Sequence, residues 1–520
     1  MLLKLSCPDK KTESPVKPGV NNIPAAGHKE GRKFVGDLIW VGLGQLFMSL
    51  TGLVVLPALT KSYPTQVYGL WSQMVVTVSF LRILTMKLES ATIRFLAAEE
   101  DKEKRRLALG TMLWPIVAII CIIFLFSMLL RQDLSVLLFT DVQFVNFVPL
   151  VLVWASFEAL FFFSLSYQRA RGKIKRFATV RLALAIARML AVVYLALAGY
   201  SFFWLIVSVI IIQALFAAVS LIMIFLELGL LKFKLARLKE YLVYSIPMLP
   251  GEVLFWVISA SDRYFITHIL NISQTGIYSA SCALANLLML LSFPIGMVLF
   301  PAVSRLWETG EPEKVKNYFR YSIRFFLVLA IPATVGLYIL SQPLLGVLAT
   351  SEFEAGGLLV LLLAVGVMFA GVFMINEYTI YLVKRTAWLP LINGAGAVIN
   401  VGINIVLIPR MGIMGAAIST VVSYFIITVI LVVWGRKNVS YDIDFMFILK
   451  AIIATALMTA SLWFLEVESI PGIIFAIVIG ITVYGLSLFL LRAFSREDKN
   501  VIRNLFSGFG RRAGPVSREP

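Results

Sequence analysis

Eight of the 46 lysines and arginines in this chain lie in or beside long apolar runs: Arg82, Lys87, Arg94, Arg181, Arg188, Arg263, Arg324 and Lys450. A charge inside a membrane is costly unless it faces water, a partner or a ligand. Arg188 lies about eleven residues into its run, near the bilayer middle at about 1.5 Å per residue. Arg181 precedes it by seven residues, two helical turns back on nearly the same face. Two cations on one stripe suit an anionic headgroup, such as a diphosphate or an acidic sugar. Arg82 and Arg263 are further cavity-cation candidates. Three acids, Glu158, Glu377 and Asp262, are candidates for coupling to an ion. Glu158 also has a plainer role open to it, neutralising Arg188 from the neighbouring span. Arg82 and Glu89 share a face, while Lys87 and Glu89 fall near the interface. Asp262 and Arg263 are adjacent, so on a helix they point apart and are not expected to pair simply. Arg324 and Lys450, near the ends of their runs, are expected to snorkel.

Nothing in the sequence assembles a catalytic centre. No Gly-x-x-x-x-Gly-Lys-Ser/Thr segment is present, so ATP is not expected as direct fuel. Cys7, Cys121 and Cys282 are far apart and make neither a metal-ligand spacing nor a disulfide framework. Leu5-Ser6-Cys7 is only faintly like a lipoprotein site, and no apolar signal precedes it. Only two histidines, His28 and His268, are present. The chain is read as a non-enzyme with no cofactor and no bound metal. Its aromatics Tyr378, Tyr381 and Trp388 would suit stacking on sugars, but interface belts explain them equally well.

These residues sit in a chain that is 60% hydrophobic and only 14% charged over 520 residues, with a mean hydropathy of +0.90. A soluble chain would carry nearly twice that charge. The apolar residues fall into runs of roughly twenty, enough to cross about 30 Å of hydrocarbon. The fold class is therefore all-α and polytopic. Fourteen spans are expected, at 34–59, 69–90, 108–130, 143–167, 178–198, 201–226, 242–269, 276–303, 321–345, 356–383, 387–408, 413–434, 446–465 and 470–491. With the N-terminus inside, the inner segments hold 35 lysines and arginines and the outer loops only three, Lys61, Arg131 and Arg410. That bias places both termini in the cytoplasm and explains the formal charge of +17 without nucleic acid. Residues 1–33 read as a disordered tail and 492–520 as a basic one. The outer loops are too short to hold a domain, which disfavours a membrane glycosyltransferase.

The chain also repeats its layout. Leu59 to Gly69 and Ile266 to Ser279 each leave an apolar run, cross a polar turn and open the next run at a small residue and a tyrosine. This divides the chain into a bundle over 34–226, a basic linker over 227–241, a second bundle over 242–434 and two added spans over 446–491. Two facing bundles are a common plan for alternating-access transporters. Glu158 in span four and Glu377 in span ten, each followed by basic residues, give a second match.

One stretch is more specific. Asn400 and Asn404 lie one turn apart, Pro409 is expected to end that helix, and Gly412, Gly415, Ala416 and Ala417 open the next with a surface small enough for close backbone approach. The segment Asn400 to Thr420 resembles the Wzx-like flippases, the polysaccharide-transporter branch of the multidrug/oligosaccharidyl-lipid/polysaccharide exporter superfamily. Ser261-Asp262-Arg263-Tyr264-Phe265-Ile266, Gly276-Ile277-Tyr278-Ser279, Leu299 to Arg305 and Val67-Tyr68-Gly69-Leu70 are similar to the same family. The resemblance implies a flippase for a polyprenyl-diphosphate-linked oligosaccharide, feeding lipopolysaccharide or exopolysaccharide synthesis in the cytoplasmic (inner) membrane. It implies an ion gradient as the drive, carried by a proton or a sodium ion. Its partners would be membrane lipids, a glycan polymerase and glycosyltransferases. Three alternatives stay open: a lipid II flippase, a multidrug antiporter and a non-transporting scaffold for glycan assembly. The basic lean of the deep charges disfavours the antiporter.

Overall fold

The computed structural model describes residues 28–493 apart from 86, 354, 355, 466 and 468, with side chains described from Trp40 onward. The expectations for residues 1–27 and 494–520 lie outside it. Every described element is a helix. Among the described residues thirteen helices are long and apolar enough to cross a membrane, with Leu235–Ala260 and Ile272–Glu308 each running as one, or fourteen if one bent pair is a single span. The fold class read from the runs is thus borne out.

The first group holds α1 (His28–Ser62), α2 (Thr65–Ile83), α3 (Leu88–Leu96), α4 (Lys102–Leu129), the short α5 (Arg131–Phe139), α6 (Phe147–Ala170), α7 (Ile174–Leu197) and α8 (Phe202–Leu228). The pair α2 and α3 is the bent span, turning by 49°. Lys87 caps α3 with a left-handed φ of 53°. Here α1 lies against α7, and α6 against α8, α3 and α2. Among the described residues the first helix already runs from His28, six residues before the expected span.

The second group starts with α9 (Leu235–Ser245), α10 (Leu249–Ala260) and α11 (Asp262–Ile269), then α12 (Ile272–Ala285) and α13 (Met289–Glu308). Spans seven and eight are therefore both interrupted locally, although Leu235–Ala260 and Ile272–Glu308 each still run as one span. Pro247 and Pro250 flank the first interruption, and a 3₁₀ turn at Asn286–Leu288 divides span eight. The group continues with α14 (Pro312–Ile339), the short α15 (Ser341–Leu348), α16 (Gly356–Leu382), α17 (Trp388–Met411) and α18 (Ile413–Val439). The final hairpin, α19 (Phe445–Leu462) and α20 (Ile470–Leu490), docks on α14.

Pro409 does not end its helix. The chain continues helically to Met411 and turns at Gly412, where φ is +60°. Proline deletes one backbone donor, but residues after it keep helical angles. A left-handed glycine is what reverses the chain. Gly415 then brings α18 onto α17 so closely that an added Cβ would lie 2.5 Å from the Leu407 carbonyl.

Apolar burial is distributed unevenly between the two ends of the bundle. One core joins Leu56, Leu59, Tyr68 and Met74 of the first group to Ile272, Ala280 and Phe353 of the second. It lies at the end away from the lysine- and arginine-rich loops. At the basic end one core around Leu109, Phe163 and Tyr167 takes in Tyr241 of α9, so that α9 packs on the first group, while a second core around Val303, Phe319 and Phe326 stays within the second group.

Candidate functional site

The two repeated turns meet face to face. Gly69 is the fifth residue of α2 and Gly276 the fifth of α12, and these helices cross at the two glycines. A Cβ on Gly69 would lie 1.9 Å from the Ile272 carbonyl oxygen, and one on Gly276 would lie 2.2 Å from that of Thr65. Only glycine permits that approach. The seam continues in hydrogen bonds between Ser72 and Ser279 at 2.6 Å and between Thr77 and the Tyr264 hydroxyl at 2.6 Å. The Trp256 indole donates to Ser79 at 3.0 Å. The end away from the basic loops is therefore sealed.

Behind the seal lies a chamber of about 500 Å³, between α1, α2, α6, α7, α8 and the break of span eight. Arg188 lines it. Its guanidinium donates to Glu158 at 2.7 Å and to the Gln213 side-chain oxygen, and sits 5.6 Å from the centre of the Trp154 ring. Gln213 is fully buried and also donates to the Phe157 carbonyl at 3.3 Å. Arginine, carboxylate and amide thus tie α6, α7 and α8 together, and the ion pair is neutral as a unit. Trp71 and Trp154 form one wall, their rings 5.7 Å apart.

Arg181 and Arg82 converge elsewhere. Both lie over the Phe162 ring, at 5.8 Å and 4.8 Å, and Arg181 also over Phe177 at 5.3 Å. Arg82 pairs with Glu89 at 3.0 Å. Arg181 has no carboxylate within ion-pair distance among the described residues. These two cations lie toward the basic end, about 10 Å along α7 from Arg188 at 1.5 Å per residue.

Asp262 and Arg263 do pair, at 3.2 Å, contrary to the expectation from adjacency. The helix breaks at Ser261, so Asp262 opens a new one and its carboxylate folds onto the Arg263 backbone N–H at 2.8 Å. Tyr278 donates its hydroxyl to the other carboxylate oxygen. Both charges are nearly enclosed, with side chains 4% and 13% exposed. Next to them Ser261 reaches Asn400 at 3.5 Å, Asn404 donates to Asn400 at 3.0 Å, and Ser419 donates to the Asn400 carbonyl at 2.8 Å. Asn400 Nδ2 and Asn404 Oδ1 are buried without a partner among the described residues.

Glu377 accepts from Tyr381 at 2.7 Å and has no cationic partner among the described residues. It stands five residues before the end of α16, whereas Glu158 stands twelve before the end of α6. The two acids are therefore at different depths, and their match in the repeat is one of order only. Lys87, expected near the interface, bridges the groups by an ion pair with Glu252 at 2.7 Å. Arg324 does not snorkel. It is 6% exposed, donates to the Ala493 carbonyl at 2.7 Å, lies 3.9 Å over Phe447 and pairs with Asp444 at 3.4 Å. The final hairpin covers it, which no reading of its own span foresees. Trp388 is exposed.

Sequence reasoning missed Gln213, the two tryptophans and the glycine crossing. The first three are uncharged, so a search for charges passes over them. The glycines were seen as a repeat, and their crossing needed three dimensions.

A family model described as "Polysaccharide biosynthesis protein" matches residues 64–356. The chain belongs to that family. The matched stretch takes in both glycine turns, Ser261 to Ser279 and Leu299 to Arg305, and stops before Asn400. Among relatives of this polysaccharide biosynthesis family member is the probable low-salt glycan biosynthesis flippase Agl15 of Haloferax volcanii, 26% identical over 279 residues. That match covers 52% of this chain and 58% of the relative, so the chain spans little more than half of the relative's length. The fold is similar to the lipid II flippase MurJ in an inward closed conformation, with a TM-score of 0.72 over 87% of this chain and 99% of that one at 17% identity. A multidrug resistance MATE family transporter of the MOP superfamily, inward-facing, is similar at 0.61 over 76% and 94%, at 12% identity. The expected kinship with polysaccharide-biosynthesis proteins rests on the family model, and these two likenesses carry the fold alone.

Proposed function

We propose that this chain is a flippase that carries a polyprenyl-diphosphate-linked oligosaccharide from the inner to the outer leaflet by alternating access, with both termini cytoplasmic. The observation that carries the reading is the asymmetry of the two groups. At the far end they are joined by the close crossing of α2 and α12 and share one core, whereas at the basic end they meet through α9 and the Lys87–Glu252 pair and their remaining helices hold two distinct cores. A chamber lies behind the seal, and Arg181 and Arg82 lie nearer the basic end. A lipid carrier would enter from the basic side with its diphosphate at those cations and its tail left in the bilayer. Exchange of the seal from one end to the other would then move the headgroup across.

Ion coupling belongs to the same proposal. Asp262 with Asn400 and Asn404 beside it, Glu377 without a cation, and Glu158 opposite Arg188 are its candidate groups. An ion can drive the cycle only by binding one state better than the other. The chain's place beside glycosyltransferases and a polymerase follows from the same reading.

The test is flipping in proteoliposomes. A fluorescent polyprenyl-diphosphate oligosaccharide, placed in both leaflets, becomes fully accessible to a membrane-impermeant quencher if it is flipped. Protection of half the signal, equal to that of empty liposomes, refutes the proposal. Flipping of lipid II in its place favours the lipid II reading, which the likeness to MurJ keeps alive.

A further inference from the structure

The chamber behind the seal has the chemistry of a sugar site rather than a phosphate site, and this rests on the flippase reading above. Its one ion pair, Arg188 with Glu158, cancels. A diphosphate carries only acceptors and needs net positive charge. A pyranose needs aromatic faces for its C–H surface, donors and acceptors for its hydroxyl rim, and no net charge.

Most of the chamber wall is aliphatic, from Leu53, Val55, Leu56, Val192 and Val209, and these features are set into it. Trp71 and Trp154 line it, with Tyr68 beside them. The Trp154 side chain is nearly buried, at 4% exposure, yet its Nε1 donor has no partner among the described residues, and neither does Nε of Arg188. A buried donor left unpaired is costly, so such groups mark places where an acceptor is expected; both atoms are closed off within the chamber wall, and a ligand acceptor reaches them as the wall shifts on binding. Asn286 supplies an amide, donor and acceptor together, at the break of span eight. It is exposed toward the chamber although fourteen residues into its span. The volume of about 500 Å³ lies within the roughly 300–1,000 Å³ of small-molecule sites.

We infer that the chamber binds a neutral pyranose ring of the headgroup, stacked on Trp71 and hydrogen-bonded by Trp154, Arg188 and Asn286, while the diphosphate lies at Arg181 and Arg82. The two sites are about 10 Å apart along α7, a span that a sugar joined directly to a diphosphate covers. The sugar leads toward the seal and the phosphates follow.

The experiment uses the full chain in nanodiscs and two probes, a short isoprenyl diphosphate bearing one N-acetylhexosamine and the same isoprenyl diphosphate without it. Calorimetry reads the affinity for each. The sugar-bearing probe is expected to bind about tenfold more tightly. Trp154→Phe keeps the ring and removes the donor, and Asn286→Ala removes the amide. Each should weaken that probe about three- to tenfold and leave the bare diphosphate unchanged. Arg181→Ala should weaken both probes. Equal binding of the two probes by the unaltered chain overturns the sugar site. So does equal weakening of both probes by Trp154→Phe and Asn286→Ala. If neither probe binds the unaltered chain, the flippase reading itself fails.

Discussion

Gly69→Ala should open the far end of the molecule. The added methyl would sit 1.9 Å from the Ile272 carbonyl oxygen. Carbon and oxygen in contact stay about 3.3–3.6 Å apart, so α2 and α12 must separate by about 1.4 Å. The Ser72–Ser279 bond of 2.6 Å, less than one turn along, would then stretch beyond hydrogen-bond range. The Thr77–Tyr264 bond lies further down the same helix. Two interhelical bonds in a membrane are together worth about 1 kcal/mol, and overpacking adds about 1–3 kcal/mol. A loss of about 2–4 kcal/mol shifts the sealed population roughly 30- to 700-fold. The assay is labelling of Ala280→Cys by a membrane-impermeant maleimide from outside, in a background lacking Cys7, Cys121 and Cys282. Ala280 is 0% exposed in the core that joins the two groups, so labelling starts slow. It should speed up in Gly69→Ala and in Gly276→Ala. Gly402→Ala is the control, since an added Cβ there meets nothing within 4 Å. Unchanged labelling in both seam variants, with normal protein levels, would refute the argument that this crossing is the seal.

Three further outcomes follow from the ion pairs. Arg188→Ala leaves Glu158 without its partner at 2.7 Å, which for a mostly buried pair costs about 3 kcal/mol; protein level should fall, and the double variant with Glu158→Gln should restore it, read by quantitative blotting. Lys87→Ala removes a link between the groups at 2.7 Å, and cysteines placed across the basic end should cross-link less readily with no change at the far end. Arg324→Ala breaks contacts to Asp444 and the Ala493 carbonyl, so hydrogen exchange should rise in α19 and α20 while α1 to α8 stay protected.

Much of the fold was legible because a membrane leaves few choices. Backbone groups in hydrocarbon must be bonded internally, so every long apolar run becomes a helix. The breaks were less legible. The runs over 242–269 and 276–303 read as single spans, yet Ser261 and the Asn286–Leu288 turn divide them. Apolar length carries no record of an interruption that neighbouring helices satisfy. The site shows the same limit. Arg188 announced itself as a charge too deep to be free, and the alternative of a pair with Glu158 was visible from consecutive spans. Gln213 was not, because a neutral amide leaves no mark in a charge count. Asp262 and Arg263 pair only because the helix restarts between Ser261 and Asp262, a local event that the ideal helix used in sequence reasoning excludes.

The restart also places the seal next to the candidate coupling group. Within one turn of α12, Gly276 makes the crossing, Tyr278 holds the Asp262 carboxylate, and Ser279 bonds Ser72 of the first group. From the other side, Tyr264, two residues past Asp262, reaches Thr77 of α2. A change in what Asp262 binds therefore has two short mechanical routes to the seam, each through a single side chain. An ion at Asp262 would compete with the Tyr278 hydroxyl for the same oxygen. Sealed and open states would then differ in ion affinity by the cost of moving Tyr278. Linkage makes that coupling reciprocal. Opening the seam by Gly69→Ala should alter ion affinity by the same factor by which the ion alters the seam, and Tyr278→Phe should reduce both together.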